Sequence, residues 1–116
     1  MLLCFCFPLS LFAQEVVGTW HSEVPTEDGG TMTMAVSINA DGTYGVDFGA
    51  DGQVEIKGKY EIGQGQMTVE NVSGDECTEK GVYNFKVTDM DLIMNRVSDP
   101  CPNRSGPEGI MRFTRK

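Results

Sequence analysis

Residues 53–62 read Gln53-Val54-Glu55-Ile56-Lys57-Gly58-Lys59-Tyr60-Glu61-Ile62. Apolar or small residues alternate with polar ones without a break. A period of two therefore puts Val54, Ile56, Gly58, Tyr60 and Ile62 on one face and Gln53, Glu55, Lys57, Lys59 and Glu61 on the other. Such a segment is a β-strand with one dry and one wet face. The same rule picks out Met32/Met34/Val36/Ile38, Tyr44/Val46/Phe48, Met67/Val69 and Tyr83/Phe85/Val87, and helical spacing is absent throughout.

Turn residues between these runs divide the chain into eight short strands, near 16–22, 31–39, 43–49, 53–62, 66–72, 80–88, 91–98 and 109–115. Asn39-Ala40-Asp41-Gly42, Ile62-Gly63-Gln64-Gly65 and Thr88-Asp89-Met90-Asp91 are tight hairpin turns. The other four connections, Glu23 to Gly30, Gly49 to Gly52, Ser73 to Lys80 and Asp99 to Gly109, are mostly longer. In an up-and-down barrel successive connections alternate between the two ends, so all three tight turns fall at one end. The expected fold is an all-β, eight-stranded antiparallel up-and-down barrel with a closed base and a mouth ringed by longer loops.

The first strand opens with Val16-Val17-Gly18-Thr19-Trp20. Gly18 lets a neighbouring backbone come close, and the Trp20 indole is large enough to seal the base while its N–H finds one partner. Before this strand, residues 1–13 form an uncharged apolar run that ends in Ala13. The run reads as the apolar part of a signal peptide and is shorter than the ~18 residues that a membrane span needs. Residues 14–116 then form one domain with one core.

The formal net charge is −8. An acidic surface without a Lys/Arg cluster argues against nucleic acid and against anionic membranes as partners. Cys4 and Cys6 leave with the leader, so Cys77 and Cys101 remain, an even number in a chain expected to be exported to the periplasm or the extracellular space. They are expected to form one structural disulfide, since their spacing fits no redox or zinc pattern. Both lie in loops of the same mouth. Closing that loop contributes about 3–4 kcal/mol by the chain-entropy estimate.

No catalytic constellation emerges. His21 is the only histidine, with no Ser or Cys nucleophile placed by any motif. Asp41, Asp89 and Asp91 sit in tight turns, and Asp75 and Glu76 in a solvated loop. The Asp-Gly pairs lack the ligand spacing of a calcium loop, so no metal and no cofactor is expected. Asn71-Val72-Ser73 and Asn103-Arg104-Ser105 are glycosylation sequons, meaningful only in a host that glycosylates.

With Gly18-Thr19-Trp20 in the first strand and Phe113-Thr114-Arg115 in the last, the chain resembles the lipocalin-like barrels of the calycin group. The loop Asp99-Pro100-Cys101-Pro102-Asn103-Arg104 is similar to one found in small exported bacterial proteins of that kind. The resemblance implies that a basic residue from the end of the barrel packs across the plug tryptophan, and the matching residue is Arg115. The classical lipocalins are half as long again, carry a helix after the barrel and have deeper cups, whereas this sequence runs little past the eighth strand, so the resemblance leaves the cavity size open.

An eight-stranded barrel is just wide enough to be filled by its own side chains or to hold one small ligand. Inward Met32, Met34, Phe48, Met67, Phe85, Met111 and Phe113 bring much volume, while inward Tyr44, Tyr60 and Tyr83 carry hydroxyls that need partners. The expected activity is non-enzymatic binding of a small, largely apolar molecule in a shallow cup or at the mouth. Its candidate contacts are Met34, Tyr44, Tyr60, Tyr83, Met94 and Arg96. The alternative is a filled barrel that acts as an inhibitor-like protein-interaction module through the loops at 23–30 and 99–109. Arg96 has three readings: it snorkels to Asp75 and Glu76, it meets the anionic head of a ligand, or its strand is slipped by one residue and turns it outward. The sequence leaves the oligomeric state open.

Overall fold

The structure, a computed structural model, describes residues 15–106 and 108–116, with Pro102 and Asn103 described by their backbone alone. The leader expected at residues 1–13 lies outside the described residues. The strands are β1 Gly18–Pro25, β2 Thr31–Ile38, β3 Thr43–Phe48, β4 Ile56–Gly63, β5 Gln66–Ser73, β6 Lys80–Val87, β7 Asp91–Ser98 and β8 Ile110–Arg115. Each pairs antiparallel with its neighbours in sequence, and β8 closes on β1 to make an eight-stranded up-and-down barrel. One helical turn, α1 Pro102–Ser105, with proline in its first turn, sits in the last loop.

Alternation dictates the interior. In β4 the burial pattern puts Gly58 and Tyr60 inward and leaves Lys57, Lys59 and Glu61 exposed. The register carries that inward face around the wall: Trp20 lies opposite Val36, Val36 opposite Val46, Tyr60 opposite Val69, and Phe85 opposite Met94. Val36, Ile38, Tyr60, Met67, Val69, Tyr83, Leu92, Met94 and Phe113 form one buried cluster with Val16 and Trp20, and Met34, Tyr44, Val46, Phe85 and Met111 pack against it. Burial of this much apolar surface, at about 25 cal/mol per Å2, is what holds a domain of this size together.

Two strand ends differ from the expected bounds by three residues, and the others by two or fewer. β1 runs on to Pro25 because β2 offers partners as far as Thr31. β4 starts at Ile56, three residues late: Glu55 turns its carboxylate to the Phe48 N–H (2.8 Å), so residues 53–55 belong to a loop although their polarity still alternates.

The base is closed by the three hairpin turns and by Trp20, which is fully buried. Its Nε1–H donates to the Val16 carbonyl (2.9 Å). The Arg115 guanidinium lies 4.1 Å from the indole centroid. It also donates to the carbonyls of Asp89 (2.9 Å), Val17 (3.2 Å) and Glu15 (2.8 Å). Gly18 is required beneath it: its φ of 140° disfavours side chains, and a Cβ there would collide with the guanidinium.

Candidate functional site

The mouth is filled by its own loop. Cys77 and Cys101 are bonded, with a Cα–Cα distance of 5.8 Å, and tie the β5–β6 loop to the start of the β7–β8 loop. From Cys101 the chain turns into α1, which carries Arg104 to Asp99 (2.9 Å). The two side chains are 9% and 0% exposed. Arg104 also donates to the Glu79 carbonyl (2.8 Å), and Asp99 accepts from the Cys101 N–H (2.9 Å) and from the Tyr83 hydroxyl. Space for this pair exists because Gly81, an inward position of β6, has no side chain. A Cβ there would run into both the carboxylate and the guanidinium. Arg104 Nε and Ser105 Oγ are buried without a hydrogen-bond partner among the described residues.

Each inward tyrosine hydroxyl is partnered by the protein itself. Tyr44 donates to Asn71 Oδ1 (2.6 Å), Tyr60 to the Asn39 carbonyl (2.6 Å) and Tyr83 to Asp99. Burial pushes the Tyr83 phenol up to about 12, and its hydrogen bond to the Asp99 carboxylate adds to the effect. Burial pushes Tyr44 up to about 12 as well, against the opposing charge of Arg104. Both phenols are therefore neutral across the physiological range. Asn71 is buried and its amide donates to the Cys77 carbonyl (3.4 Å), so the first sequon is inaccessible in the folded chain.

The six candidate contact residues are spread along the whole barrel. Met94 and Tyr60 are buried in the core, Tyr60 towards the base and Tyr83 beneath the mouth plug, and Met34 is half-buried. Tyr44 lies over Gly58 and reaches Asn71. Arg96 is exposed and donates to the Gly106 carbonyl (3.1 Å), with its guanidinium against Gly109. Leu92 and Met94 face inward and Val97 is exposed, so the strand is not slipped. Arg96 leaves the barrel for a loop carbonyl; it forms no ion pair with Asp75 or Glu76 within 4 Å.

A mostly apolar groove of 460 Å3 lies instead on the outer wall, across β2 to β5. It exists because the outward position on β3 is Gly45, over which Val54 leans. A bulge in the β4–β5 ladder between Lys57 and Gly58 leaves Val72 unpaired beside it. Val54 and Val72 are 45% and 56% exposed. Lys57, Lys59 and Thr43 complete the wall, and of the six candidate residues only Tyr44 borders this groove. A second cavity of 240 Å3, at the base beside Arg115 and Asp89, is lined mainly by polar groups.

The β3–β4 loop brings carboxylate oxygens of Asp47, Asp51 and Glu55 within 4.8 Å of one another, a donor set of the oxygen type that hard cations accept. These carboxylates already receive backbone N–H groups: Asp47 those of Asp51 (3.1 Å) and Gly52 (2.8 Å), Asp51 that of Gln53 (3.0 Å) and Glu55 that of Phe48. The Gln53 N–H holds the Asp51 carboxyl below its usual range. The sequence reading missed this cluster, since the three acids stand four residues apart and their approach depends on the tight loop.

Comparison of the chain with protein-family models, with curated proteins and with solved structures returned no match.

Proposed function

We propose that this chain is an exported, lipocalin-like binding protein that holds a small, largely apolar molecule on the outer wall of its barrel, in the groove over Gly45. The observation that carries the reading is that groove. It is open to solvent, mostly apolar and, at 460 Å3, within the ~300–1,000 Å3 range of small-molecule sites. The barrel interior competes poorly as a container, because its hydroxyls find partners in the protein and its mouth is capped by a buried ion pair. The Trp20–Arg115 contact beneath Gly18 supports the lipocalin-like assignment, and the disulfide is typical of exported chains.

Titration with an environment-sensitive apolar dye tests this reading. Val54→Asp should weaken binding by about tenfold, since it sets a charge in the apolar wall. Met34→Gln and Arg96→Met should leave binding unchanged. Loss of binding in Met34→Gln with Val54→Asp unaffected would move the site to the mouth.

A second reading, a protein-interaction module, is favoured by Phe48, Val97 and Ile110, three exposed apolar residues at the mouth end around a capped centre. It predicts that Val97→Asp changes association with a protein partner and not dye binding.

A further inference from the structure

Taking the outer groove as the binding site, we infer that its ligand is an amphipathic anion, a chain carboxylate or a close chemical relative, bound with its head towards the base of the barrel. The ends of the groove differ in chemistry, and the register orders them. Val54 and Val72 lie towards the mouth, where β4 begins and β5 ends. Along β4 the wall then passes Lys57, opposite Gly45, and next Lys59, opposite Thr43 at the base end of β3. An apolar section thus gives way to two ammonium groups over a few residues, while the Thr43 hydroxyl beside them donates to Asp41 and accepts from Asn39. That layout matches a molecule with a tail and one charged end, and fits an uncharged hydrocarbon or a cation poorly.

The charges of the two lysines are available to a ligand. Among the described residues the ion pair within 4 Å is Arg104–Asp99, and neither lysine takes part in it. The neighbouring acids are Asp41, Glu55, Glu61 and Glu70, and Asp41 is turned to the Thr43 N–H (3.1 Å) and hydroxyl (2.6 Å). Glu55 is turned to the Phe48 N–H, Glu61 stands opposite Thr68, and Glu70 stands opposite Lys59 without reaching it. Of nine basic residues, Arg104 and Arg115 are used by the two plugs and Arg96 by a loop carbonyl. In a molecule of net charge −8, two lysines beside an apolar groove are the feature that would draw an anion out of solution. Two exposed charge pairs give an anion an advantage of up to about thirtyfold over its neutral counterpart.

The test compares octanoate with octan-1-ol, equal in tail and different in charge, by amide and methyl NMR titration of the full chain at low ionic strength. The proposal expects both to shift the Val54 and Val72 methyls saturably, with octanoate at least about threefold tighter. That preference should vanish in the Lys57→Gln/Lys59→Gln double variant and in about 1 M salt, where charges are screened within ~3 Å. Equal affinities, or a preference that survives in the double variant, would overturn the anionic class and leave the apolar groove standing. Absence of saturable shifts at Val54 and Val72 with either compound would overturn both. Shifts centred on Met34 and Phe48 would place the site at the mouth and likewise overturn both.

Discussion

The two ends of this barrel are both closed by an arginine, and they solve the problem differently. At the base, Arg115 lies over the Trp20 ring and gives its protons to three backbone carbonyls, so its charge meets partial charges only. At the mouth, Arg104 is buried against a fully buried carboxylate, in a layer that also holds Tyr83 and is stapled by a disulfide. A stacked arginine at a solvated edge can be removed at modest cost. A buried ion pair cannot lose one partner without stranding the other. The base is thus closed by separable contacts and the mouth by an interdependent plug, so damage to the mouth should cost more.

Asp99→Ala is the most severe test of that difference. It leaves the Arg104 charge buried and the Tyr83 hydroxyl without its acceptor, and is expected to lower stability by about 3–5 kcal/mol in chemical denaturation. A loss below about 1 kcal/mol would mean that the pair is not buried in solution. Next comes the staple: replacing Cys77 and Cys101 with serine should cost about 3 kcal/mol, and thiol titration of the unfolded, unreduced chain should find neither of these two cysteines free. A reactive thiol at either position would contradict the connection between the loops.

The mouth layer also carries a pH signature. Tyr83 and Tyr44 are raised to about 12 in the folded chain, above the unfolded value near 10. Their contribution to stability is therefore complete below about pH 10 and is lost as the pH rises towards 12. Denaturant midpoints measured between pH 8 and 12 should fall across that window, and Tyr83→Phe should shrink the fall. An unchanged fall in Tyr83→Phe would remove Tyr83 from the account. Arg115→Ala is the mildest: it should cost about 1–2 kcal/mol and change Trp20 fluorescence, through the uncovered indole. A cost equal to that of Asp99→Ala would erase the distinction between the ends.

The base and the disulfide at the mouth were legible in the sequence, and the plug that fills the mouth was not, for a physical reason. Trp20 and the hairpin turns belong to local patterns, a period of two and short turn motifs, which fix both facing and end, and the partner of Trp20, Arg115, follows from the resemblance to lipocalin-like barrels. The mouth plug comes from an irregular loop, where no period says that Asp99 and Arg104 fold inward. The signal that could have found them is Gly81: a glycine at an inward strand position marks a close approach by something else, as Gly58 does for the Tyr44 ring. Arg96 shows the limit of parity. The facing of Leu92 and Met94 followed from alternation, yet the long side chain at the strand end found the Gly106 carbonyl instead of the interior. The groove was hidden because alternation calls Val54 an inward strand residue. It is a loop residue leaning over Gly45.

With both ends of the barrel closed and Tyr83, Met67 and Met94 buried inside it, the proposed place for apolar contact is the outer wall. Methyl NMR during octan-1-ol titration tests it most directly, because Met67 and Met94 report from the core and Val54 and Val72 from the groove. Saturable shifts are expected at the two valines and none at the two methionines; saturable shifts at Met67 and Met94 with the valines silent would return the ligand to the barrel interior.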